Sequence, residues 1–233
     1  MKTVNKAFRI LGVAFLLQFM TSFGNGVFLQ PLWKVPDDIG ATMNKIAANP
    51  WLMRTSILLD TLTALGIVFL GAMLFVALRK QDEKTALVAL GFYVVEAALL
   101  AVSRMEAFSL LRISQEYVTN GRPAFLETMG ALALESMDFA GVTLHMLAFC
   151  LGAILFYYLL DRARCVPRVL SLWGLIAVVP LLIGTLSALF GYELPMFVYL
   201  PYIPFEFVVG VWLIAKGFNS AQATTDTSGT VSL

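Results

Sequence analysis

The sequence predicts an all-α polytopic membrane protein, and three observations carry that prediction. Of its 233 residues, 59% are hydrophobic and 13% are charged, whereas soluble domains hold roughly 45–50% apolar and about 25% charged residues. Mean hydropathy is +0.82. The apolar residues fall into runs near the ~20 that a helix needs to cross a bilayer core of about 30 Å. A soluble chain of this size has no means of hiding so much apolar surface, because small domains leave much of their area exposed. The runs lack strand-like alternation, and a helix satisfies its own backbone in lipid where an open sheet does not. A net charge of +1 removes the electrostatic basis for a nucleic-acid partner. One His and two Cys argue against a zinc finger, a disulfide scaffold or a metal centre, and no cofactor is implied.

Six spans follow. They run from Phe8 to Leu29, Leu52 to Leu78, Thr85 to Met105, Phe139 to Leu160, Val169 to Phe190 and Met196 to Ala215. Lys2, Lys6 and Arg9 before the first run imitate a signal peptide. The run is too long for one and no small-x-small cleavage site follows, so it reads as a retained helix. Ten of the lysines and arginines fall on one side: the N-terminus, Arg79–Lys84, Arg162–Arg168 and Lys216. The other side holds six: Lys34, Lys45, Arg54, Arg104, Arg112 and Arg122. This bias puts both termini in the cytoplasm.

Between the first two spans, Asp37 and Asp38 are N-cap residues for a short helix over Ile39–Ala48, ended by Pro50. The segment 104–138 carries many charges but no long break. Asn120-Gly121 is a helix stop and Pro123 a favoured first helical residue. The third and fourth helices are therefore expected to continue past the membrane as an extracytoplasmic hairpin. Phe108, Leu111, Phe125, Leu126, Met129 and Leu132 remain on its arms. An amphipathic helix normally buries such a stripe against its neighbour; the functional alternative is a surface for a protein partner. Residues 1–219 form one bundle, and the Ser/Thr-rich tail 220–233 is expected to be disordered and cytoplasmic.

Ionisable groups in lipid cost about 2.5–3.5 kcal/mol each at a helix centre, which makes them the place to look for function. Counted at 1.5 Å per residue, Glu96 lies near the midplane above Lys84, and Glu206 lies at a similar depth above Lys216. His145 lies slightly outside the middle, and Asp60, Arg104 and Asp138 near the outer boundary. Helical spacing puts Asp138, Gly141, Val142, His145, Phe149 and Gly152 on one stripe, Glu96 with Ser103, Tyr199 and Tyr202 with Glu206 and Gly210, and Ser56 and Thr63 with Asp60. The simplest packing turns these stripes toward one another. Asp60, Arg104 and Asp138 also read as a structural ion-pair cluster, and His145 as a core histidine with a satisfied partner. Glu96 and Glu206 have no cation at their depth. No Gly-x-Ser-x-Gly, phosphate-loop, His-Glu-x-x-His or Gly-x-Gly-x-x-Gly motif is present, so no catalytic or metal-binding set is assigned.

Arg9-Ile10-Leu11-Gly12, Ile46-Ala47-Ala48-Asn49-Pro50, Val95-Glu96-Ala97-Ala98-Leu99-Leu100, the stretch RARCVPRVLSLWG from Arg162 to Gly174, and the end from Val211 to Asn219 together resemble the bacterial membrane family called domain of unknown function 4386. The likeness reaches residue 219. It implies a polytopic protein of the bacterial inner membrane, with Glu at the positions of Glu96 and Glu206 and no established catalytic or binding residues. The resemblance does not extend to the histidine at position 145, which is particular to this sequence. The leading expectation is a small-ligand or ion-binding membrane protein, transporter-like or sensory, with a polar interior built from Asp60, Glu96, Arg104, Asp138, His145 and Glu206. The alternatives are an intramembrane enzyme acting on a lipid or isoprenoid, and a non-catalytic assembly subunit that presents the hairpin. Buried acids without a nucleophile or metal set favour the first over the enzyme.

Overall fold

The computed structural model describes residues 2–216 apart from 165 and 193, so the predicted tail 220–233 lies outside the described residues. No strand occurs among those described. Helix α1 (Lys2–Gly24) passes through a π-helical turn, Asn25–Leu29, into α2 (Gln30–Trp33). The first span is thus longer than predicted and is not uniformly wound. Helix α3 (Ile39–Ala48) has its predicted bounds, and its cap is the expected one: Asp38 accepts the Ala41 N–H at 2.7 Å. Asn49, held out of helical backbone at φ −140° and ψ 71° before Pro50, closes α3, and the same Pro50 opens α4 (Pro50–Leu78). A first-turn N–H has no helical partner, so proline loses nothing there.

Helix α5 (Glu83–Thr119) is 37 residues long. Asp82 caps it, accepting the Thr85 N–H at 3.1 Å and the Thr85 hydroxyl at 2.9 Å. Those hydrogen bonds hold the exposed Asp82 carboxyl below its usual range. The chain reverses through Gly121 and Arg122, at φ +78° and +63°, and the Arg122 N–H returns to the Tyr117 carbonyl at 2.8 Å. Helix α6 (Ala124–Asp138) packs back along α5 and leads through a second π-helical turn, Phe139–Leu144, into α7 (His145–Ala163). Helix α8 (Arg168–Leu189) and helix α9 (Ile203–Lys216) follow.

Five helical stretches are long and apolar enough to cross a membrane: Arg9–Trp33, Pro50–Leu78, Glu83–Thr119, Ala124–Ala163 and Arg168–Leu189. The predicted sixth, Met196–Ala215, is not one continuous helix. Only Met196–Val198 is wound before the break, as a 3-10 turn, and α9 starts at Ile203. Hydropathy does not register the cause. Pro201 interrupts the run, because a proline disfavours helical backbone at the residue before it, and Pro204 sits in the first turn of α9, where its missing N–H costs nothing. At 14 residues, α9 spans about 21 Å.

The helices pack in a ring. Helix α1 lies on α4, α4 on α5, α5 on α7 and α7 on α8, while α9 returns to α1. Helices α1 and α9 approach closely, and a Cβ built on Gly12 would sit 2.8 Å from the Gly210 carbonyl oxygen. Small residues permit such backbone contact in membrane bundles. Two apolar cores form. One is shared by α1, α4, α5, α7, α8 and α9 around Phe15, Leu74, Tyr93, Phe156, Tyr157 and Phe205. The other joins α3 to α5 and α6 around Met43, Ile46, Leu110, Leu111, Leu126 and Met137. The arms 104–138 therefore bury Leu111 and Leu126 with help from α3, not by mutual packing alone. Phe108, Phe125, Met129 and Leu132 are not buried there; they face outward, between 49% and 64% exposed.

Candidate functional site

A cavity of about 530 Å³ opens inside the ring, and Asp60, Glu96, Arg104, Asp138, His145 and Glu206 all line it. Its walls draw on both apolar cores: Ile67, Tyr93 and Phe149 come from one and Met137 from the other. The polar stripes thus meet where the two cores abut. Both π-helical turns face this space, through Asn25 and Gly26 on one wall and Gly141, Val142 and Thr143 on another. A π turn widens the backbone by one residue and recurs at functional sites.

The charged groups divide into two sets. Arg104 pairs with Asp60 inside the bundle, and both are buried. Its second nitrogen, Nη2, donates to the Ser103 hydroxyl at 2.7 Å, and Ser103 donates to the Met137 carbonyl at 2.6 Å. One guanidinium so joins α4, α5 and the end of α6. Gly141 makes this possible, since a side chain there would run into Ser103 and Arg104. Asp138 does not complete this cluster, contrary to the sequence reading. It pairs with Lys34 at 2.6 Å, because the extension of the first helix through α2 carries Lys34 over to α6. Nearby, Ser56 donates to Asn25 Oδ1 at 2.7 Å and Thr63 to the Thr21 hydroxyl at 2.7 Å, which ties α4 to α1.

Glu96 and Glu206 form the second set. Neither has a cationic partner among the described residues. Tyr202 donates to Glu206 Oε1 at 2.9 Å, and the Tyr157 and Tyr202 hydroxyls lie 2.6 Å apart. A phenol has one proton to give, so Tyr157 donates to Tyr202, which donates to Glu206. Glu96 is 4% exposed and its Oε2 has no partner. The two carboxyls share the cavity without a hydrogen bond to each other. Gln18 Oε1, Arg104 Nε and His145 Nδ1 are likewise buried without partners. His145 is therefore not the satisfied core histidine that the sequence suggests. Buried polar atoms normally find a partner, and here several unmatched ones face one space.

All six sequence-derived candidates therefore reach a single cavity. Sequence reasoning passed over Gln18, Asn25, Thr185 and Tyr157, which sit in apolar runs and carry no charge. The one available signal was the i, i+3/i+4 rule, which puts Gln18, Ser22 and Asn25 on one face of the first helix. Among the described residues, no group of three or more His, Cys, Asp or Glu side chains is placed to hold a metal ion. Cys150 is a buried free thiol.

No curated protein and no solved structure matches the chain. A family model matches residues 10–217, from the first helix to the end of α9. That stretch covers the whole ring and every residue of the cavity wall, and the chain belongs to the family described as Domain of unknown function (DUF4386).

Proposed function

We propose that this protein binds a small ligand or ion in the cavity within its membrane-spanning bundle, as a transporter-like or sensory protein. The observation that supports this reading is the gathering of six ionisable side chains around one space of about 530 Å³, with one carboxyl oxygen of Glu96 left without a partner. That volume falls in the range of small-molecule sites, roughly 300–1,000 Å³. A bundle that needed only stability would gain more from apolar side chains at Glu96 and Glu206, because buried charge is weak evidence of stabilisation. The exposed stripe of Phe125, Met129 and Leu132 is what an assembly-subunit reading requires. The cavity weighs more, since it carries an unmet hydrogen-bonding requirement.

In this reading α9 and the turn before it complete a sixth crossing, and α5 and α6 extend beyond the membrane as an extracytoplasmic hairpin. In the same reading the protein resides in a bacterial inner membrane, and the lysine and arginine bias supports cytoplasmic termini.

A cysteine test addresses the cavity directly. Thr143 lines it and is partly exposed, whereas Cys150 is 0% exposed. In the full chain with Cys165→Ser, Thr143→Cys is expected to react with a small methanethiosulfonate reagent at least about tenfold faster than Cys150. Equal, slow reaction of both thiols would mean that the cavity receives no solute, and the reading would fall.

A further inference from the structure

The ring of helices is incomplete on one side. Helices α1 and α8 both line the cavity, but their backbones do not pack against each other. Helix α9 lies between them only along part of their length. It meets α1 at Gly12 and at Phe19, whose ring lies 5.9 Å from Phe207, and it meets α8 where the Phe205 ring lies against Gly174. Because α9 starts only at Ile203, the far half of α8 is met by the chain before that helix, with Tyr199 against Gly184, and α9 does not extend between the far halves of α1 and α8. The lining residues that are also exposed mark this seam: Ser22 on α1, Gly26 on the π turn that follows it, Ala188 on α8 and Val142 on the second π turn. They are small or apolar, and exposed Val27, Phe28 and Leu189 lie beside them in the chain. An opening lined by small and apolar residues suits the passage of an apolar group.

The interior behind the seam has a definite chemistry. Asp60 and Asp138 have their own cations, so the carboxyls left over are Glu96 and Glu206. Aromatic rings stand around them. Phe149 packs edge-on to Tyr202 at 5.3 Å and tilted to Tyr93 at 6.2 Å, and all three line the cavity. A cation held near carboxylates and ring faces gains from both. An anion would meet two unpaired acids.

Resting on the cavity reading above, we propose that the ligand is a lipophilic organic cation, which reaches the cavity from the bilayer through the seam between α1 and α8. Its ammonium, phosphonium or guanidinium group sits between Glu96 and Glu206, and its apolar part lies toward Phe19, Phe23 and the seam.

The test uses the full chain and three probes of one shape: tetraphenylphosphonium, the tetraphenylborate anion, and neutral tetraphenylmethane. Equilibrium binding in detergent is expected to show a saturable site for the phosphonium, at least about tenfold weaker for the other two. The Glu96→Gln/Glu206→Gln double variant is expected to lose at least about tenfold in phosphonium affinity. The single variants give the same direction should the double fail to fold. In phosphatidylcholine nanodiscs, Gly26→Trp and Ala188→Trp are expected to slow phosphonium association at least about threefold. Leu65→Trp, on the exposed face of α4, leaves the rate unchanged. Equal affinity for the three probes, or no effect of the glutamine variants, would overturn the cationic class. Seam variants that behave as Leu65→Trp does would overturn the route. If no probe binds while Thr143→Cys still reacts, the cation proposal fails and the cavity reading survives it.

Discussion

Arg104 is 8% exposed and joins three helices through Asp60, Ser103 and the Met137 carbonyl. Its loss is not the loss of a surface ion pair, which would be worth little. Arg104→Met leaves Asp60 charged and buried without its partner, a defect that costs about 3–5 kcal/mol. Adding Asp60→Asn removes the stranded charge and is expected to restore a large part of that loss. Thermal unfolding of the two single variants and the double variant in detergent measures it. A double variant no more stable than Arg104→Met would show that this pair is not what holds α4 to α5. The partners of the acids were less legible than the acids themselves. Counting the rise from Lys84 and Lys216 is enough to place Glu96 and Glu206 at one level, since a helix in a membrane ties depth to residue number. The same counting places Asp138 beside Arg104 but has no means of finding Lys34, which reaches Asp138 only because α1 runs on past its predicted end.

At the scale of elements, Gly12 fixes how α1 meets α9. A methyl group there would lie 2.8 Å from the Gly210 carbonyl oxygen and 2.9 Å from the Ile214 backbone N–H nitrogen, and backbone has little freedom to retreat. Gly12→Leu is expected to force the two helices apart and to destabilise the fold by about 1–3 kcal/mol, the usual cost of overpacking. Gly91→Leu is the control, since nothing lies within 4 Å of a Cβ at that position. Melting curves in one detergent decide it; equal shifts for both variants would remove the close contact from the account. The capped helices were readable because their signals are local. Asp38 and its helix stand as the sequence places them, and the stop at Asn120-Gly121 does too. Two kinds of feature were hidden. The π turns depend on packing across helices, which no periodicity records. The late start of α9 depends on Pro201, which breaks the helix without changing hydropathy, and Pro204 is accommodated in the first turn of α9.

For the whole molecule, composition alone carried the class, because 59% hydrophobic residues leave a helical bundle in lipid as the workable arrangement. The relation of the bundle to the two aqueous sides rests on charge. Cysteines placed singly at positions 82 and 121, in a chain with Cys150→Ser and Cys165→Ser, test it in intact cells. The lysine and arginine bias predicts that an impermeant thiol reagent labels position 121 rapidly and position 82 only after the membrane is opened. Position 121 lies at an exposed turn between α5 and α6 and position 82 at a partly exposed one between α4 and α5, and labelling of position 82 once the membrane is opened separates side from burial. The reverse pattern would invert the molecule. What charge counting does not foresee is that the ring is closed by unequal members, with the shortest, α9, completing only part of one wall.

The turn at Phe139–Leu144 has a consequence for geometry that no single contact expresses. Helices α6 and α7 share one rod, but the turn between them holds one residue more than uniform winding allows. The two halves are therefore out of phase by about 100°, the rotation of one residue, like two dials set differently on one shaft. Asp138 is fixed on one dial and His145 on the other. Deleting one residue within the turn would bring the shaft back to a single setting, and the two halves would turn relative to each other, so that Asp138 and His145 would not both keep their present bearings while every other side chain in the rod stayed chemically the same. The bearing of Asp138 toward its partner is a matter of counting.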